Sequence, residues 1–148
     1  MYTHLFSEFL PSDDTLRVYR DKTPVFTSQK DRLLPLMDYI ANHSLGSQPV
    51  TIFDKIMGNA AALLSVKVNC RDVYSPLGSE IAVETLDRYG IKYHLTKIVP
   101  HIRREDGRGM CPMEQLSLNK GPEEFYKELK ARLEGHNTNE DDAVCSGK

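Results

Sequence analysis

The chain reads as an α/β protein, a mixed sheet covered by helices in a three-layer α/β/α sandwich. Three observations predict it. β-rich runs alternate with helical periods in the order ββα, βα, βα, β and a closing βα, an order that requires a sheet with helices on both faces. The helical run that follows residues 50–53 lacks a polar face, so it must be buried against the sheet. Finally, 148 residues with 40% hydrophobic and 27% charged content suit one domain with one core, which at this size buries roughly two-thirds of the unfolded surface.

Residues 1–14 mix Leu5, Phe6, Phe9 and Leu10 with an acidic break at 11–14; they can dock as a short helix or fray, and a loosely docked N-terminal extension is expected. Runs at 16–19 and 23–27 alternate and are β-rich, with Asp21 and Lys22 between them as a tight turn, so they predict a hairpin. Asp31 is placed to cap the next helix, with Pro35 in its first turn and Leu33, Leu36, Met37 and Ile40 at helical spacing up to Gly46. The strand at 50–53 stops at the charged pair Asp54 and Lys55 and passes through Gly58 into a helix from about 57 to 66. Ala60, Ala61 and Ala62 allow that helix to pack closely.

Residues 71–75 predict a short strand, and 76–79 a turn into a helix capped by Ser79, with Ile81, Ala82, Val83, Leu86 and Tyr89 as its apolar positions. Gly90 before apolar Ile91 has the pattern of a left-handed C-cap, and Ile91, Tyr93 and Leu95 alternate as a strand. From 100 to 109 charge and glycine displace any period, which predicts an exposed loop, with a short strand at 115–118 after it. Gly121-Pro122-Glu123-Glu124 starts a helix with the stripe Phe125, Leu129, Leu133. Beyond 135 the sequence is polar and acidic with little to bury, so 135–148 is expected as a disordered tail and 15–134 as a single domain.

The totals exclude several classes. A net charge of −2 leaves no electrostatic footprint for nucleic acid. No apolar run approaches the ~20 residues of a membrane span, and the basic start of a signal peptide is missing, so a cytoplasmic protein is expected. Three widely spaced cysteines, Cys70, Cys111 and Cys145, argue against a disulfide framework and predict free thiols. The five histidines have no paired spacing with each other or with cysteine, so neither a metal site nor a cofactor is expected. The glycine-rich nucleotide fingerprints and the G-x-S-x-G elbow are absent.

Chemistry concentrates at two loop-to-helix junctions. Asp54 and Lys55 stand at a strand end, where α/β proteins tend to place ligands; a capping Asp and a solvated Lys are the plainer readings. Gly58 allows a left-handed turn or a close backbone approach, and Asn59 opens the helix beside it. Cys111, before Pro112 and downstream of Arg103, Arg104 and Arg108, is the candidate nucleophile if those cations lower its pKa; a small apolar residue packed under the loop is the competing reading. Glu114 and Glu80 are candidate carboxylates for acid/base work, though Glu80 in a first helical turn also suits the helix dipole. Arg103 and Arg104 can hold a phosphate, against which Glu105 and Asp106 offer local ion pairs.

The segment 54–64 (DKIMGNAAALL), the Ser79-Glu80 helix start and Cys111-Pro112-Met113-Glu114 together resemble a domain-of-unknown-function family placed in the cytidine-deaminase-like superfamily, over about residues 14–134. The resemblance implies a mixed sheet between helices. It also implies comparison with the His-x-Glu and Pro-Cys-x-x-Cys helix starts that hold zinc and the general acid/base in deaminases. At those two places this chain has Asn59-Ala60-Ala61 and Ser79-Glu80-Ile81, which cannot supply three zinc ligands. The resemblance further implies an Asn-Arg pair near 103 and 104, where this chain has Arg103-Arg104. The family brings no settled activity with it. The expectation is a zinc-independent domain that binds a small nucleotide-like or phosphate-bearing ligand, with Cys111, Asp54 and Glu114 as chemical groups and Lys55, Gly58, Asn59, Glu80, Arg103 and Arg104 around the ligand. The alternative is a non-catalytic interaction or scaffold module that keeps only the fold, acting as a homodimer.

Overall fold

The computed structural model describes residues 2–43 and 48–135 and the backbone of 145–146. Its helices are α1 (Thr3–Phe9), α2 (Leu34–Asn42), α3 (Asn59–Lys67), α4 (Glu80–Arg88), α5 (Pro112–Ser117) and α6 (Pro122–Gly135). Strands β1 (Leu16–Arg20), β2 (Thr23–Ser28), β3 (Val50–Asp54), β4 (Cys70–Ser79) and β5 (Lys92–Val99) form one mixed sheet in the order β2-β1-β3-β4-β5. β1 runs antiparallel to β2 and β3, while β3, β4 and β5 are parallel. A small second ladder joins β6 (Arg103–Arg104) to β7 (Cys145–Ser146).

Several elements follow from single residues. Asp21 and Lys22 both take left-handed conformations, φ 51° and 66°, as a two-residue hairpin turn demands. Ser79 Oγ accepts from the Ala82 amide at 3.0 Å and starts α4. Gly90 takes φ 72°, and the Ile91 amide returns to the Leu86 carbonyl at 2.9 Å, closing the helix while Ile91 is buried.

The two faces of the sheet carry different cores. Leu16, Val18, Ile52 and Val73 point to one face and share a cluster with α2, the alanines of α3, Ala82 and Leu86 of α4, Met113 of α5, and Phe125 and Leu129 of α6. Tyr19, Phe53 and Tyr74 point to the other and pack with Tyr2 and Phe9 around α1. Helices therefore lie on both faces, unevenly. α3 is buried on every side from Asn59 to Ser65, as its lack of a polar face required.

The structure corrects the sequence reading in five places. The N-terminal residues are a firmly docked helix, because Tyr2 and Phe9 fill the aromatic face and the Tyr2 hydroxyl accepts from the Lys22 amide at 2.8 Å. Asp31 does not cap α2, whose N-cap is Leu33 with no side-chain bond, because Arg32 turns left-handed at φ 61° between them. Residues 76–79 continue β4 instead of turning: the ladder to β5 holds register on both sides of Pro76, pairing Ser75 with Leu95 and Leu77 with Lys97. Gly78 serves close packing there, since a Cβ on it would meet Leu95 Cδ1 at 2.5 Å. Residues 115–118 fall in α5 and its C-cap, started by Pro112 at the first position, not in a strand. Cys111 is disulfide-bonded, so the expected free thiol is found at buried Cys70 and not at Cys111. The far end of the expected α2 and most of the expected tail lie outside the described residues.

Candidate functional site

β3 delivers Asp54 to the carboxyl end of the sheet, where the chain must turn outward to reach α3. Met57 bridges this corner to the extended end of β4, donating to the Leu77 carbonyl at 2.8 Å and accepting from the Ser79 amide at 3.2 Å. The starts of α3 and α4 are thereby set side by side. Above the corner a cavity of about 280 Å³ opens, lined by the corner residues 54–56 and 58, by Ala60 and Ala61, and by residues from three other segments. These are Thr15 at the head of β1, Asp31 to Leu33 before α2, and the stretch from Ile102 to Glu114.

Asp54 is 7% exposed at this cavity. Its Oδ1 accepts a long bond from the Ile56 amide, 3.4 Å. Burial pushes its pKa up to about 7, against the weaker opposing pull of the Ile56 and Lys55 amides and the Lys55 charge. Lys55 itself turns away: Nζ donates to the Ser12 carbonyl at 2.8 Å and lies 4.7 Å from the Phe9 ring centre, so it fastens α1 to the sheet.

Glu114 is buried and spent on structure. Oε1 accepts from the Asn59 amide at 2.5 Å and Oε2 from the Ile102 amide at 2.7 Å, so one side chain caps α3 and pins the 100–111 segment. Gly58 is the residue that permits this clamp: its φ of −81° is ordinary extended backbone, but a Cβ would sit 3.0 Å from Ile102 Cγ1 and 3.1 Å from Glu114 Oε1. Close approach, not a left-handed turn, is its reason. The Asn59 side chain faces away from the cavity, donating to Ser117 Oγ at 2.9 Å and accepting from the Thr85 hydroxyl, and so ties α3 to α4 and α5.

Cys111 lines the cavity but is 2% exposed and held in its disulfide. Of the remaining sequence candidates, Glu80 and Arg103 are exposed and lie off the cavity lining. Arg104 approaches Asp106 at 3.7 Å and is also outside the lining. The structure thus gathers Asp54, Lys55, Gly58, Cys111 and Glu114, and leaves Asn59 in the helix packing.

Sequence reasoning missed Thr15, Asp31, Arg32, Glu105 and Met113, which also line the cavity. Thr15 arrives because β1 pairs Leu16 with Asp54, a register that no local pattern announces. Arg32 lies exposed at the rim with neither an ion pair nor a hydrogen bond to the described residues. The amides of Ala60 and Ala61, in the first turn of α3, have no intrahelical acceptor. Among the described residues no three His, Cys, Asp or Glu side chains cluster as metal ligands, and no helix is long and apolar enough to cross a membrane.

Residues 7–133 match the family model described as TM1506, a domain of unknown function (DUF1893). The chain belongs to this family. Its fold is shared with the crystal structure of a DUF1893 family protein, TM1506, from Thermotoga maritima, at a TM-score of 0.78 with 24% identity over 87% of each chain. None of the curated proteins matches the chain.

Proposed function

We propose that this DUF1893 domain binds a small nucleotide-like or phosphate-bearing ligand in the cavity at the end of β3, and that Asp54 exchanges a proton with it. The observation that carries this reading is a buried carboxyl group lining a cavity with no described side chain donating to it, its pKa raised to about 7 by burial. A group that titrates near neutrality suits general acid/base work. The anionic end of the ligand is served by Arg32 at the rim, and Ala60 and Ala61, in the first turn of α3 where backbone amides lack an intrahelical acceptor, line the same cavity. A nucleophilic role for Cys111 belongs only to the reduced chain, because in its disulfide the residue holds no thiol. We read the fold as a zinc-independent variant of the cytidine-deaminase-like kind; the mixed sheet and the paired helix starts at Asn59 and Glu80 support this.

The test is thermal shift with nucleoside monophosphates and inorganic phosphate on the wild-type chain and on Arg32→Ala. A rise in melting temperature that shrinks in the variant is expected; no rise with any of these compounds would remove the reading. A second reading, a non-catalytic interaction module acting as a dimer, is favoured by the use of Glu114 and Asn59 as structural ties. It predicts a concentration-stable dimer with no response to metabolites.

A further inference from the structure

We propose that the buried wall of the cavity at Asp54 receives a cationic nitrogen of the ligand, an amine or amidinium group, with Asp54 as its acceptor. This rests on the cavity being a ligand site and adds the chemistry of its buried carboxyl group. A carboxyl group this deep is costly to leave without a strong donor; the bond Asp54 Oδ1 accepts from the Ile56 amide is long, 3.4 Å, and no described side chain donates to it.

The charged groups around Asp54 come from every element that closes the cavity. Asp31 and Arg32 stand before α2, Lys55 at the corner itself, Glu105 on the segment after β6 and Glu114 on α5. Four carboxyl groups, counting Asp54, therefore face two cations. Lys55 directs its Nζ to the Ser12 carbonyl, which leaves Arg32 at the rim as the cation open to an anion. Glu114 has both oxygens committed to amides, so Asp54 is the buried acceptor still open. An anionic group pushed inward would meet Asp54, whereas a cation there completes a buried pair and recovers part of the desolvation cost of both.

Proton linkage makes the claim measurable. With burial holding Asp54 near a pKa of about 7, a cation must displace its proton. Affinity should therefore rise with pH through neutrality, and binding at pH 6 should be about tenfold weaker than at pH 8.

Benzamidinium and benzoate are matched probes, one cationic and one anionic on the same ring, and inorganic phosphate reports the rim. Titrations followed by the backbone amide signals of Ala60 and Ala61 read occupancy whichever probe binds. The expected result is that benzamidinium moves these signals, does so about tenfold more tightly at pH 8 than at pH 6, and loses the effect in Asp54→Asn, while benzoate is silent. The pH comparison reads the same group in the wild-type chain should the variant fold poorly. Benzamidinium silent while phosphate or a nucleotide moves Ala60 and Ala61 overturns this inference and leaves the ligand site standing. Equal benzamidinium affinity in Asp54→Asn, or no pH dependence, also overturns it. Silence of all the probes and nucleotides removes both.

Discussion

Asp54 and Glu114 are two buried carboxyl groups on the wall of one cavity, and they differ in what their surroundings ask of them. Glu114, at the start of α5, spends both oxygens on backbone amides at 2.5 and 2.7 Å. Asp54, at the end of β3, accepts only a long bond of 3.4 Å from the Ile56 amide and a weaker pull from the Lys55 amide among the described residues, and burial pushes it to a pKa of about 7. The first builds the cavity and the second is left available inside it. Burial alone therefore does not mark a functional carboxylate; the quality of its partners does.

The comparison breaks most visibly if Glu114 is removed. Glu114→Ala orphans the buried amides of Asn59 and Ile102 and releases the cap of α3, for an expected loss of about 4 to 5 kcal/mol from two unmade bonds to buried donors. Denaturant unfolding followed by far-UV dichroism should show the midpoint falling by that equivalent. A loss under 1 kcal/mol would mean that Glu114 is not the clamp described.

Asp54→Asn should act in the opposite direction and only at higher pH. The folded state raises the pKa from 3.8 to about 7, so the folded chain holds the proton more tightly than the unfolded one. The cost of ionising Asp54 in place is therefore absent below pH 4, grows between pH 4 and 7 and is complete above 7. At 1.36 kcal/mol per pKa unit the ceiling is about 4 kcal/mol, and a gain of about 2 to 3 kcal/mol at pH 8 is expected after relaxation. The same variant should show no gain at pH 4. A pH-independent change in stability would separate Asp54 from any role in proton exchange.

Much of this pairing was visible in the residues and part of it was not. The strand end at Asp54 and the caps at Ser79 and Gly90 rest on short-range rules, and the structure has them in those places; Gly58 is needed for Ile102 and Glu114, which arrive from far along the chain. The identity of α5 was hidden, because a six-residue helix is held less by its own propensity than by Glu114 reaching across to α3. Pro76 reads as a turn unless the register of β5 is known. Asn59 and Glu80 sit at helix starts where a ligand was expected, yet one faces the packed helices and the other solvent; side-chain direction there depends on which neighbours arrive.

A smaller effect sharpens the same contrast. Gly58→Ala leaves the backbone unstrained at φ −81° but places a methyl 3.1 Å from Glu114 Oε1 and 3.0 Å from Ile102. A loss of about 1 to 2 kcal/mol is expected from this overpacking. In combination with Glu114→Ala the penalty should shrink, because one of the two groups it crowds is gone and Ile102 is no longer pinned by Glu114; fully additive losses in a double-mutant cycle would contradict the geometry.

The smallest effect concerns the rim. Arg32 is held at φ 61°, a conformation that costs a side-chain-bearing residue about 1 kcal/mol, whereas glycine adopts it freely. Arg32→Gly should thus stabilise the fold by roughly 0.5 kcal/mol once the greater freedom of glycine in the unfolded chain is counted. It should also weaken phosphate binding at the rim, because the guanidinium there has no ion-pair or hydrogen-bond partner among the described residues to hold instead. A variant that gains stability while losing phosphate marks Arg32 as a strained residue kept for its ligand. A variant that loses stability and keeps phosphate would show the left-handed turn to be a structural hinge into α2, and would move the anionic end of the ligand away from Arg32.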